Sequence, residues 1–489
     1  MTLGFTRSAV PGGAALLSCV LLAACNIGPK YVKPAALPPN ATAPTAYKET
    51  PPPPPGWTPA QPADDALRGN WWEMFQDSTL NGLEAKIAIN NQNLKAAVAQ
   101  YDSAHEQVKV VRANLFPTIT AGPQASRDRE SSNHPLVQPG TNTTYNDFVV
   151  SGGFSYELDL WGQIRKQVAQ AREQAQASAA QLANVNLSMH ALLAQSYFQL
   201  RGLDTQEALL ATTVGAYEKT LELTLNRFHG GVASEVDVAQ ARTQLETTRA
   251  AYIDVGVARA QTEHAIATLV GETASTFSIA PAVLTTPPPV VPPGLPGTLL
   301  ERRPDIAGAE RIVAAANEQI GIARTAYFPT VTLSGNGGFE STQTSSLFNG
   351  PSALWSVGAS AIETIFDAGR RKAQTAEARD QYDQHVAEYR QTTLTAFQQV
   401  EDNLAAVRIL QQEAVTEQAA VAAAQRSLDL SLNRYKGGIT TYLEVLTAQA
   451  ALLTDQRNAA DVLSRRFTAT VLLVQALGGG WDVSQLPHS

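Results

Sequence analysis

Residues 370 to 436 form a run of 67 positions without glycine or proline, and no other feature limits so strongly what this chain can become. The run is rich in Ala, Gln, Glu and Arg, all good helix formers. At 1.5 Å rise per residue it predicts a rod of roughly 100 Å, far beyond an ordinary globular helix. Along it Val400, Val407, Ala414, Val421, Leu428 and Tyr435 recur every seven residues, the spacing that lets neighbouring helices supercoil.

The rod ends in "NRYKGGITTYLEVLTA" at 433 to 448, and 207 positions earlier, at 226 to 241, the chain reads "NRFHGGVASEVDVAQA". Val214, Leu221 and Phe228 stand the same 207 residues before Val421, Leu428 and Tyr435, so rod and turn are both duplicated. Each copy has the grammar of a hairpin tip. Gly230-Gly231 and Gly437-Gly438 can supply the left-handed residue that stops the descending helix. Ser234 with Asp237, and Thr441 with Glu444, can supply an N-cap and its third-position acid for helices returning over Ser234 to Val270 and Thr441 to Leu477.

At the other end of the rods "ANLFPTITAGPQA" from 113 and "TAYFPTVTLSGNGGF" from 325 form a second repeated pair. Each Phe-Pro ends a helix, because the residue before proline is pushed out of helical geometry. Alternation follows. Phe148, Val150, Phe154, Tyr156, Leu158 and Leu160 fall on even positions with Asp147, Ser151, Ser155, Glu157 and Asp159 among the odd ones, the pattern of a half-buried strand. Ile119, Ala121 and Ala125 continue it in the first half, as do Val331, Leu333, Phe339, Trp355, Val357, Ala359 and Ala361 in the second.

Each half thus contributes one hairpin, and the chain about four strands of membrane-crossing length. Four strands cannot close, and an open edge in lipid leaves backbone groups unpaired at several kcal/mol each. Three copies would supply about twelve strands, within the range of closed outer-membrane barrels, and a ring of about twelve helices below them.

The amino terminus supplies an address. "MTLGFTRSAVPGGAALLSCVLLAAC" sets Arg7 before an apolar run from Ala14 to Leu22 that is too short to span a bilayer, as in a secretory signal. Its ending "LAAC" matches the bacterial lipobox, which makes Cys25 the acylated first residue of the mature chain, carrying N-acyl and diacylglycerol lipid as its only expected prosthetic group. Asn26 after Cys25, by resemblance to sorted lipoproteins, permits export to the outer membrane. Residues 29 to 62 then hold 12 of the 28 prolines, so this segment should run extended as a strap.

The expected division is a signal peptide at 1–24, a lipidated strap at 25–70 and a first repeat at 71–280 with a β-hairpin at 116–160 and a long helix pair at 163–270. A Pro-rich link at 281–303 leads to a second repeat at 304–479, with a hairpin at 328–366 and a helix pair at 370–477, and a tail at 480–489.

Some chemistries are excluded. A formal charge of -8 argues against nucleic acid. The seven histidines have no pair at the spacing of a helical metal site. "SGNGGF" at 334 to 339 sits in an alternating strand with no helix after it, so the dinucleotide reading fails. No set of nucleophile, base and oxyanion donor can be named, and no enzyme is expected.

In their order, "LAACNIGPKYVKP", "WWEMFQDSTLNGLEAKIAINNQNLKAAVAQ", "LFPTIT", "YELDLWGQIRKQ", "RFHGGVASEVDVAQA", "LLERRPDIAGAERIVAAANEQIGIARTAYFPTVTLSG", "IFDAGRRKAQ" and "RYKGGITTYLEVLTAQ" span essentially the whole mature chain. The chain resembles the TolC-like outer-membrane factors of tripartite efflux systems, in their NodT-type lipoprotein branch. The resemblance implies a mainly α homotrimer with a membrane β part: a 12-stranded β-barrel in the outer membrane of a Gram-negative bacterium, continued by a 12-helix periplasmic α-barrel. It implies passage of drugs or other toxic solutes, opened when a periplasmic adaptor (membrane fusion) protein and an inner-membrane pump of RND type engage the helix tips.

Matched to the family's lower gate, Arg434 and Tyr435 precede the second turn and Leu443 follows it. Where relatives often read "LDAQ", this chain has Leu446-Thr447-Ala448-Gln449, so the acid of that level is replaced by Thr447 and any charge gating rests on Glu444 or Asp237. Packing at the tip is the competing role for Tyr435 and Leu443, and capping for Glu444 and Asp237. Arg227, Gly230, Gly231, Arg434, Gly437 and Gly438 are expected near the exposed turns as adaptor-docking residues, with plain turn formation the competing role of the glycines. A lipid-anchored periplasmic coiled-coil scaffold or adhesin without a channel is the alternative function.

Overall fold

The computed structural model describes residues 27–41, 44–49, 69–131, 143–292, 294 and 296–487. Cys25 and the signal segment lie outside the described residues, as does 50–68 of the strap. The two rods are α3 (Gln163–His229) and α6 (Arg370–Lys436), each 67 residues long. Shorter helices pair with their halves. α1 (Ser78–Asn90) and α2 (Gln92–Ala113) precede the first hairpin, α5 (Pro304–Thr325) precedes the second, and α4 (Glu235–Leu269) and α7 (Tyr442–Ala476) return from the tips.

Packing is layered along the rods. Toward the sheet, α2 lies on α3, and α5 fills the space between α3 and α6; toward the tips, α4 lies on α3 while α7 packs on both α6 and α3. The chain is therefore a wall about four helices wide at either level. Val400 and Tyr435 are buried on the seven-residue line of α6, and Val407, Ala414, Val421 and Leu428 between them are half-buried.

Both rods start alike. Asp159 accepts from the Ile164 and Arg165 amides and from Arg165 Nε, and Asp367 accepts from the Gly369 and Arg371 amides and from Arg371 Nε. Gly162 and Gly369, both left-handed, stand 207 residues apart like the tips. The sheet above comprises β1 (Thr118–Arg129), β2 (Thr144–Glu157), β3 (Thr330–Ser341) and β4 (Ala353–Ile362), antiparallel in sequential order. β1 and β2 extend further into 127 to 146 than a loop there would allow, and β2 pairs with β3 to join the repeats.

The main core forms a collar midway along the rods, where α4 and α7 end. Phe198 stacks on Phe467 at 4.4 Å and Phe75 meets Phe198 at 4.7 Å, within a cluster that includes Leu80, Tyr197, Ile266, Tyr389 and Val471. Two extended segments are pinned around it by related devices. In the first repeat, Arg201 and Arg259 both bind Asp204 and donate to the Ala280 and Ile279 carbonyls of the link. In the second, Arg408, 207 residues after Arg201, bonds Glu49, and Glu401 accepts from the Lys48 and Glu49 amides of the strap. The strap also touches α5, through Tyr31 to Glu310 and Asn317 to the Pro29 carbonyl.

Inside the collar, Glu84 of α1 and His190 of α3 form a fully buried pair, Oε2 to Nδ1 at 2.6 Å. Burial pushes the Glu84 carboxyl up to about 9 and holds the His190 imidazole down to about 4. Between those values the folded pair keeps one proton. An unfolded Glu and His are both largely deprotonated above pH 7, so the native state there binds more protons than the unfolded one, and stability falls as pH rises toward 9. Between about 4.5 and 6.5 the two groups' slopes oppose each other. Urea titrations at pH 7 and pH 8.5 should show the midpoint dropping in the wild type, by at most about 1.4 kcal/mol per pH unit, and holding nearly level in Glu84→Gln. An equal drop in both proteins would assign the slope to another group.

Candidate functional site: the open sheet and the helix tips

Pairing partners share a face, so the register sorts the sheet's side chains. One face carries Ile119, Ala121, Pro123 and Ala125 beside Phe148, Val150 and Phe154, then Val331, Leu333 and Phe339, then Trp355, Val357, Ala359 and Ala361. The other carries Thr120, Gln124 and Ser126, then Asp147, Ser151 and Ser155, then Thr332, Ser334 and Asn336, then Ser356 and Ser360; Val149, Leu354 and Ile362 are its exceptions. At about 3.4 Å per residue, the apolar stretch from Ala353 to Ala361 covers roughly 27 Å along the strand. A tilt of about 40° brings this near the ~25 Å apolar band of an outer-membrane barrel. Phe116, Tyr327, Phe328 and Phe366 are exposed at its lower margin, where interfacial aromatics gather. Each of β1 and β4 is paired on one side only. Among the described residues no helix is long and apolar enough to cross a membrane.

At the far end the two tips share one backbone path. Gly230 and Gly437 keep ordinary negative φ, and the left-handed residues are the second glycines, Gly231 at φ 69° and Gly438 at 75°. The first three amides after each rod fold back in register: Gly230 to Asn226, Gly231 to Phe228 and Val232 to Arg227 in one tip, and Gly437 to Asn433, Gly438 to Tyr435 and Ile439 to Arg434 in the other. Val232 and Ile439, and likewise Val236 and Leu443, are 207 residues apart, and all four are exposed.

The caps differ. Ser234 and Asp237 close a full capping box, with the Asp237 carboxylate accepting from the Ser234 amide at 2.9 Å. Thr441 makes no such bond, contrary to the expected Thr441–Glu444 cap. Glu444 instead reaches back across the turn to Arg434 at 3.4 Å. Arg434 and Glu444 are both largely exposed, so the pair adds little stability.

The hairpins are joined to each other through a buried polar-aromatic seam. Tyr435, 2% exposed, packs edge-on against Tyr442 and turns its hydroxyl toward Thr224. Gln449 ties the same layer, accepting from Tyr442 and donating to Thr220, while Tyr217 donates to the Gln449 carbonyl. Arg227 closes it: its guanidinium lies 4.6 Å from the Tyr435 ring centre and donates to the Lys436 carbonyl at 3.1 Å.

The family described as outer membrane efflux protein matches residues 85–272 and 295–479. The chain belongs to that family. It is 33% identical over 468 residues to the antibiotic efflux pump outer membrane protein ArpC of Pseudomonas putida, covering 95% of this chain and 94% of that one. It is 30% identical over 472 residues to the pyoverdine export outer membrane protein OpmQ of Pseudomonas aeruginosa, at 95% and 96% coverage. Its fold matches the crystal structure of the Campylobacter jejuni CmeC outer membrane channel with a TM-score of 0.86 at 24% identity, over 94% of this chain and 96% of the other. As an outer membrane efflux protein it is an exit channel and a non-enzymatic part of a transport machine.

Against that background the expected site residues separate. Leu443, Glu444 and Thr447 are exposed on α7, with the Thr447 hydroxyl bonded back to the Leu443 carbonyl. Tyr435 is placed otherwise than a constriction residue: its ring is interior to the protomer because Tyr442 and Arg227 cover it. Arg227 differs from an outward docking residue for the same reason, since its guanidinium is turned inward onto the second hairpin. Gly230, Gly231, Gly437 and Gly438 are exposed at the turns, and Asp237 is engaged in its cap. The seam residues Tyr217, Thr220, Thr224, Tyr442 and Gln449 carried no sequence signal beyond their place on helical faces.

The glycines predict a clean contrast. A β-branched residue at Gly438 must adopt the left-handed region at a cost of about 1–2 kcal/mol, whereas a Cβ at Gly437 meets atoms no closer than 3.5 Å. Limited proteolysis should therefore cut the Gly438→Val tip several times faster than wild type and leave Gly437→Val unchanged. Equal susceptibility of the two variants would contradict the turn assignment.

Proposed function

We propose that three copies of this chain close into a single passive duct: β1 of each sheet pairs with β4 of the next, and the rods continue the tube into the periplasm. The observation that carries this is the four-stranded sheet with one apolar face, one polar face and two half-paired edges. Lipid would meet the apolar side and water the polar one, and about twelve strands satisfy every ladder. Energy comes from an inner-membrane pump of RND type, joined to the tips by a periplasmic adaptor. Relatives of nearly equal identity are named for antibiotics and for pyoverdine, which supports a duct whose cargo is chosen by its pump.

The resting duct is closed at the tips. Arg227 and Tyr435 hold the second hairpin against the first, and a buried cation–aromatic contact of this kind is worth about 2 kcal/mol. Leu443, Glu444 and Thr447 then stand on the exposed side of α7 as the constriction. Val232, Val236, Ile439 and the glycines offer the adaptor a mixed apolar and backbone surface. Cys25 carries the lipid that retains the chain at the outer membrane.

Planar-bilayer recordings test the assembly and the gate together. The purified protein should run as a heat-labile trimer with rare openings, Arg227→Gln and Tyr435→Ala should open it severalfold more often, and Leu443→Ala should widen the closed-state leak. Unchanged conductance in all three variants would remove the tip gate; a monomer with no conductance would return the chain to a tethered scaffold. Gly437→Val should assemble normally yet lose transport, and full transport would argue against docking at the turn. Radiolabelled palmitate should enter the wild type and not Cys25→Ser; label in both would displace the lipid from Cys25.

A further inference from the structure

A cavity of about 990 Å³ opens in the collar between α1, α2, α3, the short turn Trp71–Phe75 and the tail after α7. It is independent of both the sheet and the tips. The Glu84–His190 pair lies in its wall, with Trp72 stacked on the imidazole at 4.3 Å and 14°. Glu84 Oε2 is taken by His190, but Glu84 Oε1 and Asn81 Oδ1, one helical turn apart on α1, are buried and have no hydrogen-bond partner. Trp72, Tyr101 and Trp481 supply aromatic surface around the same space.

The fold does not require this pair. The position 207 residues after His190 is Phe397, which packs against the collar core of the second repeat. An apolar side chain is thus acceptable at the equivalent place, and replacing a buried ionisable pair with apolar residues is often neutral or stabilising. Two orphaned acceptors in a buried wall ordinarily cost about 1–3 kcal/mol each, a cost that a ligand bearing donors would remove.

We propose that this cavity binds a primary ammonium group, held by Glu84 Oε1 and Asn81 Oδ1 and faced by the Trp72, Tyr101 and Trp481 rings. Both free protein atoms are acceptors, so the ligand must bring the donors. An ammonium brings three N–H bonds on one centre and a charge that aromatic faces attract. The space exceeds what one ammonium fills, so the group arrives on a longer body, either a free aliphatic amine or the amino end of a cell-wall peptide. Lys95 at the rim is exposed and is the chain's own competing ammonium.

Isothermal titration of the full-length, detergent-purified protein at pH 8 tests this, with cadaverine, choline and a soluble cell-wall fragment bearing a free amino group as probes. Cadaverine or the fragment should bind saturably at one site per chain, and the tighter of the two identifies the source. Choline, which has no N–H, should bind at least tenfold more weakly. Glu84→Gln should weaken the primary amine at least tenfold, and so should His190→Phe, which installs the second repeat's residue should the first variant fold poorly. The inference is overturned by no saturable binding up to about 10 mM, by equal affinity in Glu84→Gln and His190→Phe, or by binding that appears only in Lys95→Met. None of these results bears on the duct.

Discussion

The backbone of β1 and β4 sets the terms for the rest of the molecule. Each edge strand has one row of amides and carbonyls paired within the sheet and one row left over. Water can satisfy that second row, but hydrocarbon cannot, and the sheet's apolar face belongs in hydrocarbon. Fold and membrane placement can both be met only if the leftover rows find each other, which makes the protomer a segment of a larger wall. The rods have the same incompleteness, since α2 and α6 stand at the two flanks of a helical wall with no further helix of the same chain beyond them.

Duplication explains how one chain makes such a segment cheaply in information, and divergence between the copies explains how it works. Rod starts, tips and collar pins recur at one offset of 207 residues, because each depends on a short local grammar of Asp, Gly or Arg placed at a helix end. Side chains facing the other repeat do not recur. The first tip is sealed by its own capping box, whereas the second leaves Glu444 to Arg434 and is held from outside by Arg227. A hairpin fastened by its neighbour can be released by displacing that neighbour; one fastened by its own cap cannot. The collar is unequal in the same way, with a buried carboxyl–imidazole pair in one repeat and Phe397 in the other.

Much of the architecture was legible in residue order. Helix spans, the stops at Phe-Pro and Gly-Gly, and the alternating strands all follow from preferences acting over a few residues. The register of β2 on β3 then placed every apolar strand residue named from alternation on a single face. The tips were less legible. Tyr435 was visible as a gate candidate or a packing residue, and Arg227 as a turn residue; neither pattern contained their mutual contact.

The sequence by itself determined the rods, the hairpins, the repeat and the apolar side of each strand, because these are periodicities that a local backbone must obey. Tertiary structure alone decided that Tyr435 is covered, that Arg227 faces inward, that Thr441 does not cap and that Glu84 meets His190. Those outcomes join positions from about ten to more than two hundred residues apart, and periodicity says which way a side chain points but not what it will find there.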